Sequence, residues 1–227
     1  MTLTSKNICE IALNIGFDAC GVVSARRLDN DAQWMDEWIA QGLHGNMSYL
    51  EHNREKRYDP TQLVPGGKTI VVCLLNYDHS GRDYHRKVKS MLYTLEASLK
   101  EQFGEDIVSA THQHIFCDSA PMLERRWCVE AGLGFIGKNH QLIHPTLGSM
   151  VHPGEIVLNV SVTADLAEKD ILDTPKDCAD CQLCLDACPT GALRNSIWDA
   201  RQCVAYTTHH CLVCQNVCPY NKKLIQS

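Results

Sequence analysis

The spacing of apolar residues along the first two thirds of the chain predicts alternating helices and strands. Ile8, Ala12 and Ile15 recur every three or four positions after Thr4, so we expect a helix that Thr4 caps and Gly16 ends. Other runs are short and rich in β-branched or apolar residues, which is typical of strands. They are residues 17–25, 69–75, 114–118 and 154–165, and the second of them is expected to be a buried central strand.

Helical periodicity in the segments between these runs completes an α/β fold. Residues 31–41 carry Trp34, Met35, Trp38 and Ile39 on one face, which favours core packing over a functional role. Further helices are expected at residues 46–57, at 82–103, and after Ser119, with Ser119 as the cap and Pro121 in the first turn.

Two features of this region have both a structural and a functional interpretation. Asp118 is the last residue of a predicted strand, and ligands gather at strand ends in open α/β sheets, but a helix-capping role explains Asp118 equally well. The glycine-rich segment 132–150 would let the backbone approach a flat ligand, or would form a hairpin whose turns need glycine. The residues alone leave the role of Asp118 open, and the two interpretations of the glycines can both hold.

Composition and charge exclude some classes of protein. The 227 residues, 44% of them hydrophobic, suffice for one large domain or for a domain plus a small module. No apolar run approaches the roughly 20 residues of a membrane helix, and no signal-peptide pattern is present, so a cytoplasmic location is expected. A net charge of −6 argues against a strongly basic nucleic-acid binder. A local basic patch is an alternative to ordinary solvated surface, with Arg54, Lys56, Arg57, Arg82, Arg86, Lys87 and Lys89 as its candidates.

The strongest chemical signal is a pair of cysteine runs near the end of the chain. The first has the spacing C-x2-C-x2-C-x3-C-P of bacterial ferredoxins that bind 4Fe–4S clusters, and the second repeats it with a longer first gap. In two-cluster ferredoxins the fourth cysteine of each run ligates the other cluster, so the expected ligand sets cross. One set is Cys178, Cys181, Cys184 and Cys218, and the other is Cys188, Cys203, Cys211 and Cys214. A disulfide scaffold or two zinc sites explain the two Cys-Pro endings less well.

The chain therefore divides into residues 1–170, which contain the alternating elements, and residues 171–227, which contain the cysteine runs. The polar segment 166–177 is the expected linker. The other cysteines lie in apolar contexts and are expected to pack in the core. They are Cys9, Cys20, Cys73, Cys117 and Cys128. His209 and His210 lie between cysteines of the second run, and neither is expected to be a ligand.

Several motifs occur in order over nearly the whole chain. They are G-F-D-A-C-G-V, G-N-M-S-Y-L, R-Y-D-P-T-Q-L-V-P-G-G-K-T-I-V, R-D-Y-H, C-D-S-A-P-M-L-E-R, G-L-G-F-I-G-K-N, G-S-M-V-H-P-G-E-I and the two cysteine runs. Together they resemble the epoxyqueuosine reductase family, which is cobalamin-dependent and makes queuosine in tRNA. The resemblance implies an α/β (α+β) catalytic domain like that of cobalamin-dependent reductive dehalogenases, followed by a bacterial ferredoxin-like module. It also implies two 4Fe–4S clusters and base-off cobalamin.

The resemblance also implies site residues. Asp118 matches the family's general acid, which protonates the epoxide oxygen, and desolvation beside a corrin is expected to raise its pKa. The other implied cofactor contacts are Arg57, Leu142, Pro153 and Ala205.

The chain departs from the family pattern at several places. The segment between Cys203 and Cys211 and the loop before R-D-Y-H are short, His152-Pro153 replaces an aromatic–leucine pair, and no helical-repeat extension precedes Ser227. The expected substrate is therefore epoxyqueuosine in tRNA or a smaller molecule. An electron-transfer protein without its own chemistry and a flavin-linked reductase are the alternatives. We expect a monomer that takes electrons from a flavodoxin or ferredoxin and does not bind a membrane.

Overall fold

The computed structural model describes residues 3–76, 83–109, 112–162, 177–194, 197–208 and 211–221. Helices α1 to α6 are Ser5–Ile15, Asp29–Ala40, Arg54–Tyr58, Pro60–Leu63, Tyr84–Phe103 and Glu124–Glu130, and α7 to α9 are Leu183–Asp186, Val204–Thr208 and Val213–Asn216. Strands β1 to β6 are Ala19–Ser24, Thr69–Asn76, Ile115–Phe116, Phe135–Ile136, Leu142–Ile143 and Val151–Leu158. Two short 3-10 helices are Ser48–Glu51 and Glu105–Ile107.

The chain forms two compact units, and each combines segments that are distant in the sequence. The sheet unit contains Met1–Arg27, Glu55–Leu133 and Val151–Thr174, and the cysteine unit contains Leu28–Arg54, Gly134–Met150 and Pro175–Ser227. The predicted boundary between residues 170 and 171, the linker up to residue 176, and His209 with His210 lie outside the described residues. Within the described ranges, no helix combines the length and the apolar composition needed to span a bilayer.

A four-stranded sheet in the order β1-β2-β6-β3 forms the centre of the sheet unit. The prediction of a buried central strand is confirmed, because residues 69–75 of β2 are all buried between β1 and β6. Every neighbouring pair of strands is antiparallel. The rule that ligands gather at the carboxyl ends of parallel strands therefore does not apply to this sheet. The last predicted strand begins three residues earlier, at Val151, and ends at Leu158.

The helix ends of the sheet unit follow the capping rules in one case and depart from them in another. Thr4 accepts a hydrogen bond from the Asn7 N–H at 3.2 Å, and Gly16 ends α1 with a φ angle of 110°, as predicted. The prediction that Ser119 caps α6 is wrong, because this helix begins at Glu124 after an uncapped Leu123. The intervening residues form bends, so the chain turns before it becomes helical.

One glycine sets the distance between β1 and the end of α6. A Cβ atom on Gly21 would lie 2.3 Å from the carbonyl oxygen of Ala131 and 3.0 Å from its Cβ. Only hydrogen fits in that space, so Gly21 allows the chain after α6 to lie against the strand.

The prediction that the extra cysteines pack in the core holds for Cys73, Cys117 and Cys128, which are buried, while Cys9 and Cys20 are half-buried.

Apart from α2, the described elements of the cysteine unit are short. The glycine-rich segment forms a hairpin of β4 and β5, which confirms the structural interpretation of its glycines. Trp38 is buried, and its indole N–H donates to the Trp198 carbonyl at 2.6 Å. Trp34 is 49% exposed, so its assignment to the core was wrong. The single helix predicted at residues 46–57 is instead a 3-10 turn and α3, separated at Asn53, whose φ angle is 53°.

Candidate active site and cysteine groups

Asp118 lies just after β3 in a backbone conformation that few residues adopt. Its φ angle of 50° falls in the left-handed region, which aspartate tolerates better than most side chains. The side chain is half exposed and accepts a hydrogen bond from the hydroxyl of Tyr84, the first residue of α5. The helix-capping interpretation of Asp118 is wrong, because α6 begins six residues later without a side-chain cap.

A stack of three rings lies beside Asp118. The Tyr84 ring lies 3.7 Å from the His152 ring and 4.0 Å from the His85 ring, measured between centroids. His85 also places Nε2 3.9 Å from Asp118 Oδ2. Because His152 belongs to β6, the stack joins the start of α5 to a central strand and holds the Tyr84 hydroxyl against Asp118. Burial lowers the pKa of His152, which favours a neutral ring in this stack.

Two further acids lie near Asp118 but away from solvent. Glu124 is 8% exposed, and its Oε1 accepts the backbone N–H of Asp118 at 2.6 Å. Glu155 on β6 is fully buried, and neither of its carboxyl oxygens has a hydrogen-bond partner among the described residues. In the sheet Glu155 lies opposite Phe116, two residues before Asp118. We refer to Asp118, Glu124 and Glu155 as the carboxyl cluster.

The three members of the carboxyl cluster differ in pKa because their surroundings differ. Burial raises the pKa of Asp118, but hydrogen bonds with Tyr84 and Glu124 outweigh it and bring the pKa below its ordinary value. Burial, and then the charge of Asp118, raise the pKa of Glu124 to about 8. Burial, and then the charges of Glu124 and Asp118, hold the pKa of Glu155 well above its ordinary value. Within the protein itself the raised pKa values therefore belong to the two buried acids, and the expectation that desolvation beside a corrin raises the pKa of Asp118 stays a prediction.

The eight cysteines of the two runs all belong to the cysteine unit. Burial, and then three nearby thiols, raise the pKa of Cys184; these thiols are Cys178, Cys181 and Cys218. Burial, and then four nearby thiols, raise the pKa of Cys214 to about 11; these thiols are Cys184, Cys211, Cys203 and Cys188. Each expected ligand set is therefore a spatial neighbourhood, and the two sets adjoin at Cys184 and Cys214. Which cysteines bind which cluster stays a prediction.

The thiols neither pair as disulfides nor converge on the position of a single metal ion. None of the 13 cysteines, all of which lie in the described ranges, forms a disulfide bond. No three Cys, His, Asp or Glu side chains in the described part of the chain are close enough to hold a single metal ion. A four-iron cluster binds each thiolate at a different iron, so its ligands need not approach one another as closely as around one ion.

Lys138 of the glycine-rich hairpin holds the loop that begins the first cysteine run. Its backbone N–H lies 3.4 Å from Cys178 Sγ. Its ammonium group donates to the carbonyl oxygens of Ala179 at 2.7 Å and Cys181 at 3.0 Å. The hairpin thus contributes a backbone N–H to one of the expected cluster ligands and fixes the loop around it.

The other predicted cofactor contacts are distributed over both units. Arg57 in α3 is 6% exposed and has polar partners of its own. Pro153 is half-buried and follows His152 on β6. In the cysteine unit, Leu142 on β5 is buried and Ala205 on α8 is half-buried. Their contact with cobalamin stays a prediction.

Three residues of the site were not identified from the sequence. Tyr84 and Glu124 belong to the motifs R-D-Y-H and C-D-S-A-P-M-L-E-R, but nothing in either motif indicates that their side chains meet at Asp118. Glu155 did carry a signal, because a glutamate within an apolar strand is rarely buried without a reason. That signal could have placed it in the site before the structure was known.

Relatives of known name identify the family. The chain is 34% identical to an epoxyqueuosine reductase from Cyclobacterium marinum, over 93% of this chain and 77% of the relative. It is also 34% identical to an epoxyqueuosine reductase from Leadbetterella byssophila, over 96% of this chain and 80% of the relative. No protein-family model matches the chain.

Solved structures agree with these relatives. A crystal structure of epoxyqueuosine reductase with an epoxyqueuosine-modified tRNA-Tyr stem loop is 28% identical with a TM-score of 0.79, and the alignment covers 96% of this chain but only 65% of that one. A catabolic reductive dehalogenase, at 16% identity and a TM-score of 0.57 over 94% of this chain and 31% of its own, shares the fold. The chain therefore belongs to the epoxyqueuosine reductase family of oxidoreductases.

Proposed function

We propose that this chain is a cobalamin-dependent iron–sulfur reductase that converts epoxyqueuosine to queuosine in tRNA. The observation that carries the proposal is the half-exposed Asp118 carboxyl group in a member of this family. This group accepts a hydrogen bond from Tyr84 and lies beside the buried acid Glu124. The relatives bear the name of this activity, and one was crystallised with a modified tRNA stem loop.

The reaction needs a proton at a defined position. An epoxide oxygen leaves as an alkoxide unless an acid protonates it. Asp118 is exposed enough to meet a substrate, and Tyr84 fixes the orientation of its carboxyl group. Cobalamin, when bound, supplies the reducing centre, and the clusters supply its electrons.

The proposal includes two 4Fe–4S clusters in a ferredoxin-like module. Soft thiolates are the ligands that iron–sulfur clusters prefer, and the structure offers two adjoining groups of four cysteines. The Lys138 N–H near Cys178 Sγ is the kind of hydrogen bond that tunes a cluster's potential. A cytoplasmic location, where thiols stay reduced, and a flavodoxin or ferredoxin as electron donor belong to the same proposal.

The residues expected to hold cobalamin remain Arg57, Leu142, Pro153 and Ala205. Pro153 is half-buried and has no N–H to donate, so it offers an apolar ring to a flat macrocycle. The Arg57 guanidinium offers N–H donors for an amide oxygen and a positive charge for a phosphate group of the cofactor.

For the tRNA, α5 offers a local basic surface. Arg86 and Lys87 are exposed and directly follow Tyr84 and His85 in the chain. Most of the affinity of proteins for nucleic acid comes from such contacts with phosphate. The whole chain carries a net charge of −6, so the proposal needs a local basic surface of this kind rather than an overall positive charge.

The test is an anaerobic reconstitution with iron, sulfide and cobalamin, followed by gel filtration and metal analysis. About eight irons and one cobalt per chain are expected from two four-iron clusters and one corrin. With a chemical reductant, the reconstituted chain should convert an epoxyqueuosine-modified tRNA stem loop. Turnover of the free nucleoside alone would replace tRNA by a smaller substrate. Eight irons without cobalt, and no turnover of either substrate, would overturn the proposal in favour of electron transfer.

A further inference from the structure

We propose that Glu124 shares one proton with Asp118, so that the acid of this enzyme is a pair of carboxyl groups. The identity of the group that receives this proton, the epoxide oxygen, rests on the proposed function. The sharing itself is a property of residues in the sheet unit and can be measured without substrate.

The geometry brings the two acids into direct contact. Glu124 accepts the backbone N–H of Asp118 at 2.6 Å, so its carboxyl group lies against Asp118, and each of the two carboxyl groups shifts the pKa of the other. Two ionised carboxylates at such a separation repel strongly, and more so when one of them is 8% exposed. One proton is therefore retained by the pair, as in other closely spaced carboxyl dyads.

The surroundings decide where that proton rests. The Tyr84 hydroxyl donates to Asp118 and stabilises its ionised form, whereas Glu124 is buried. The proton therefore rests on Glu124, whose pKa is about 8, rather than on Asp118. The other titratable or charged groups around the pair are His85 from α5, Arg125 and Cys128 from α6, Cys117 after β3, and His152 and Glu155 from β6.

This arrangement resolves a difficulty with Asp118 as a lone acid. With its lowered pKa, Asp118 alone would be ionised at neutral pH and could not protonate an alkoxide. In the pair, the Glu124 O–H proton passes to the Asp118 carboxylate, and the Asp118 carboxylic acid formed in this way gives a proton to the substrate oxygen. The net change is one proton transferred from Glu124 to the substrate, after which Glu124 is a carboxylate and water reprotonates it.

The variant Glu124→Gln tests this step. Glutamine keeps the size of the side chain, an acceptor for the Asp118 N–H and a donor for the Asp118 carboxylate, but carries no transferable proton. Turnover at pH 7 should fall by about 100-fold, as general-acid catalysis predicts. The pH above which turnover declines should move from near 8 to well below 7. Glu124→Asp should restore part of the activity and the alkaline limit. Glu101→Gln, an exposed change on α5, should behave as wild type.

A second readout needs no substrate. Infrared titration of the reconstituted wild-type protein should show a protonated carboxyl band that disappears near pH 8. The band should be absent in Glu124→Gln, retained in Glu101→Gln, and shifted to lower pH in Asp118→Asn, because the repelling charge is removed. An unchanged band in both Glu124→Gln and Asp118→Asn would overturn the shared proton. The expected bands in a protein that reduces no epoxide would instead uphold the pair and refute the proposed function.

Discussion

Asp118 is the residue whose replacement separates chemistry from binding most clearly. Asp118→Asn keeps the shape and a hydrogen-bond acceptor for Tyr84 but removes the acid, so we expect turnover to fall by about 100-fold or more. Cobalt and iron contents should stay at wild-type values, since no expected cluster ligand changes. The measurement is single-turnover reduction of the stem loop, with Asp106→Asn, an exposed change in the second 3-10 helix, as the control. Full turnover by Asp118→Asn would remove Asp118 from the mechanism.

The sequence predicted Asp118 as a site residue but not its electrostatic environment. Desolvation beside a corrin was expected to raise its pKa, but the sequence did not indicate that the Tyr84 hydroxyl and Glu124 lower the pKa of Asp118 within the protein itself. Those neighbours belong to α5 and α6, which carry different motifs. A motif indicates the role of its own residues but not which residues of another motif they contact. A hydrogen bond between residues 34 positions apart depends on how the elements pack, and no local pattern encodes it.

At the scale of the elements, the close packing of β1 against the end of α6 predicts the effect of replacing Gly21. Gly21→Ala places a methyl group 2.3 Å from the Ala131 carbonyl oxygen, so the chain after α6 must move. We expect a loss of about 1–3 kcal/mol in unfolding free energy, typical of overpacking. Turnover should fall as well, because a shift of α6 would also move Glu124, its first residue, relative to Asp118. Urea unfolding measures the first effect, and Ser24→Ala, exposed on the same strand, is the control. Wild-type stability in Gly21→Ala would show that the contact yields easily.

The start of α5 gives a second prediction at this scale. Arg86→Ala combined with Lys87→Ala should weaken binding of the tRNA stem loop and reduce the slope of log affinity against log salt by about 1–2, if each side chain neutralises one phosphate. Binding titrations at several salt concentrations measure this slope. Lys6→Ala with Lys68→Ala removes the same charge from other exposed positions and should leave the slope unchanged. Equal effects of the two double variants would assign the loss to net charge rather than to α5.

Element prediction succeeded where the determinants are local and failed where they are not. The cap at Thr4, the stop at Gly16 and the buried strand β2 depend on neighbouring residues and were correct. The start of α6 was misplaced, because the backbone of Asp118 adopts a positive φ that delays the helix. Trp34 satisfied a helical stripe but lies nearly half exposed, since the stripe on α2 is wider than the surface that covers it.

On the scale of the whole molecule, segments from three parts of the chain build the cysteine unit. Residues 28–54 and 134–150 join the cysteine runs in one compact unit, although the sequence suggested two consecutive domains. Periodicity and motif order describe neighbours along the chain, so they could not predict that the Lys138 hairpin would hold the Cys178 loop. The crossed sets of cysteines were proposed from spacing, and the thiol neighbourhoods are compatible with them.

The crossed pairing makes a prediction about Cys188, which belongs to the first run by sequence and to the second set by assignment. Cys188→Ala should lose the paramagnetic signal that Cys203→Ala loses, and retain the one that Cys178→Ala loses, because its thiol neighbours Cys214. Electron paramagnetic resonance of the reduced variants, with iron analysis, makes the comparison. Cys9→Ala, outside both runs, should keep both signals. If Cys188→Ala instead matches Cys178→Ala, each run holds its own cluster, and the two clusters are separable modules rather than one interlocked fold.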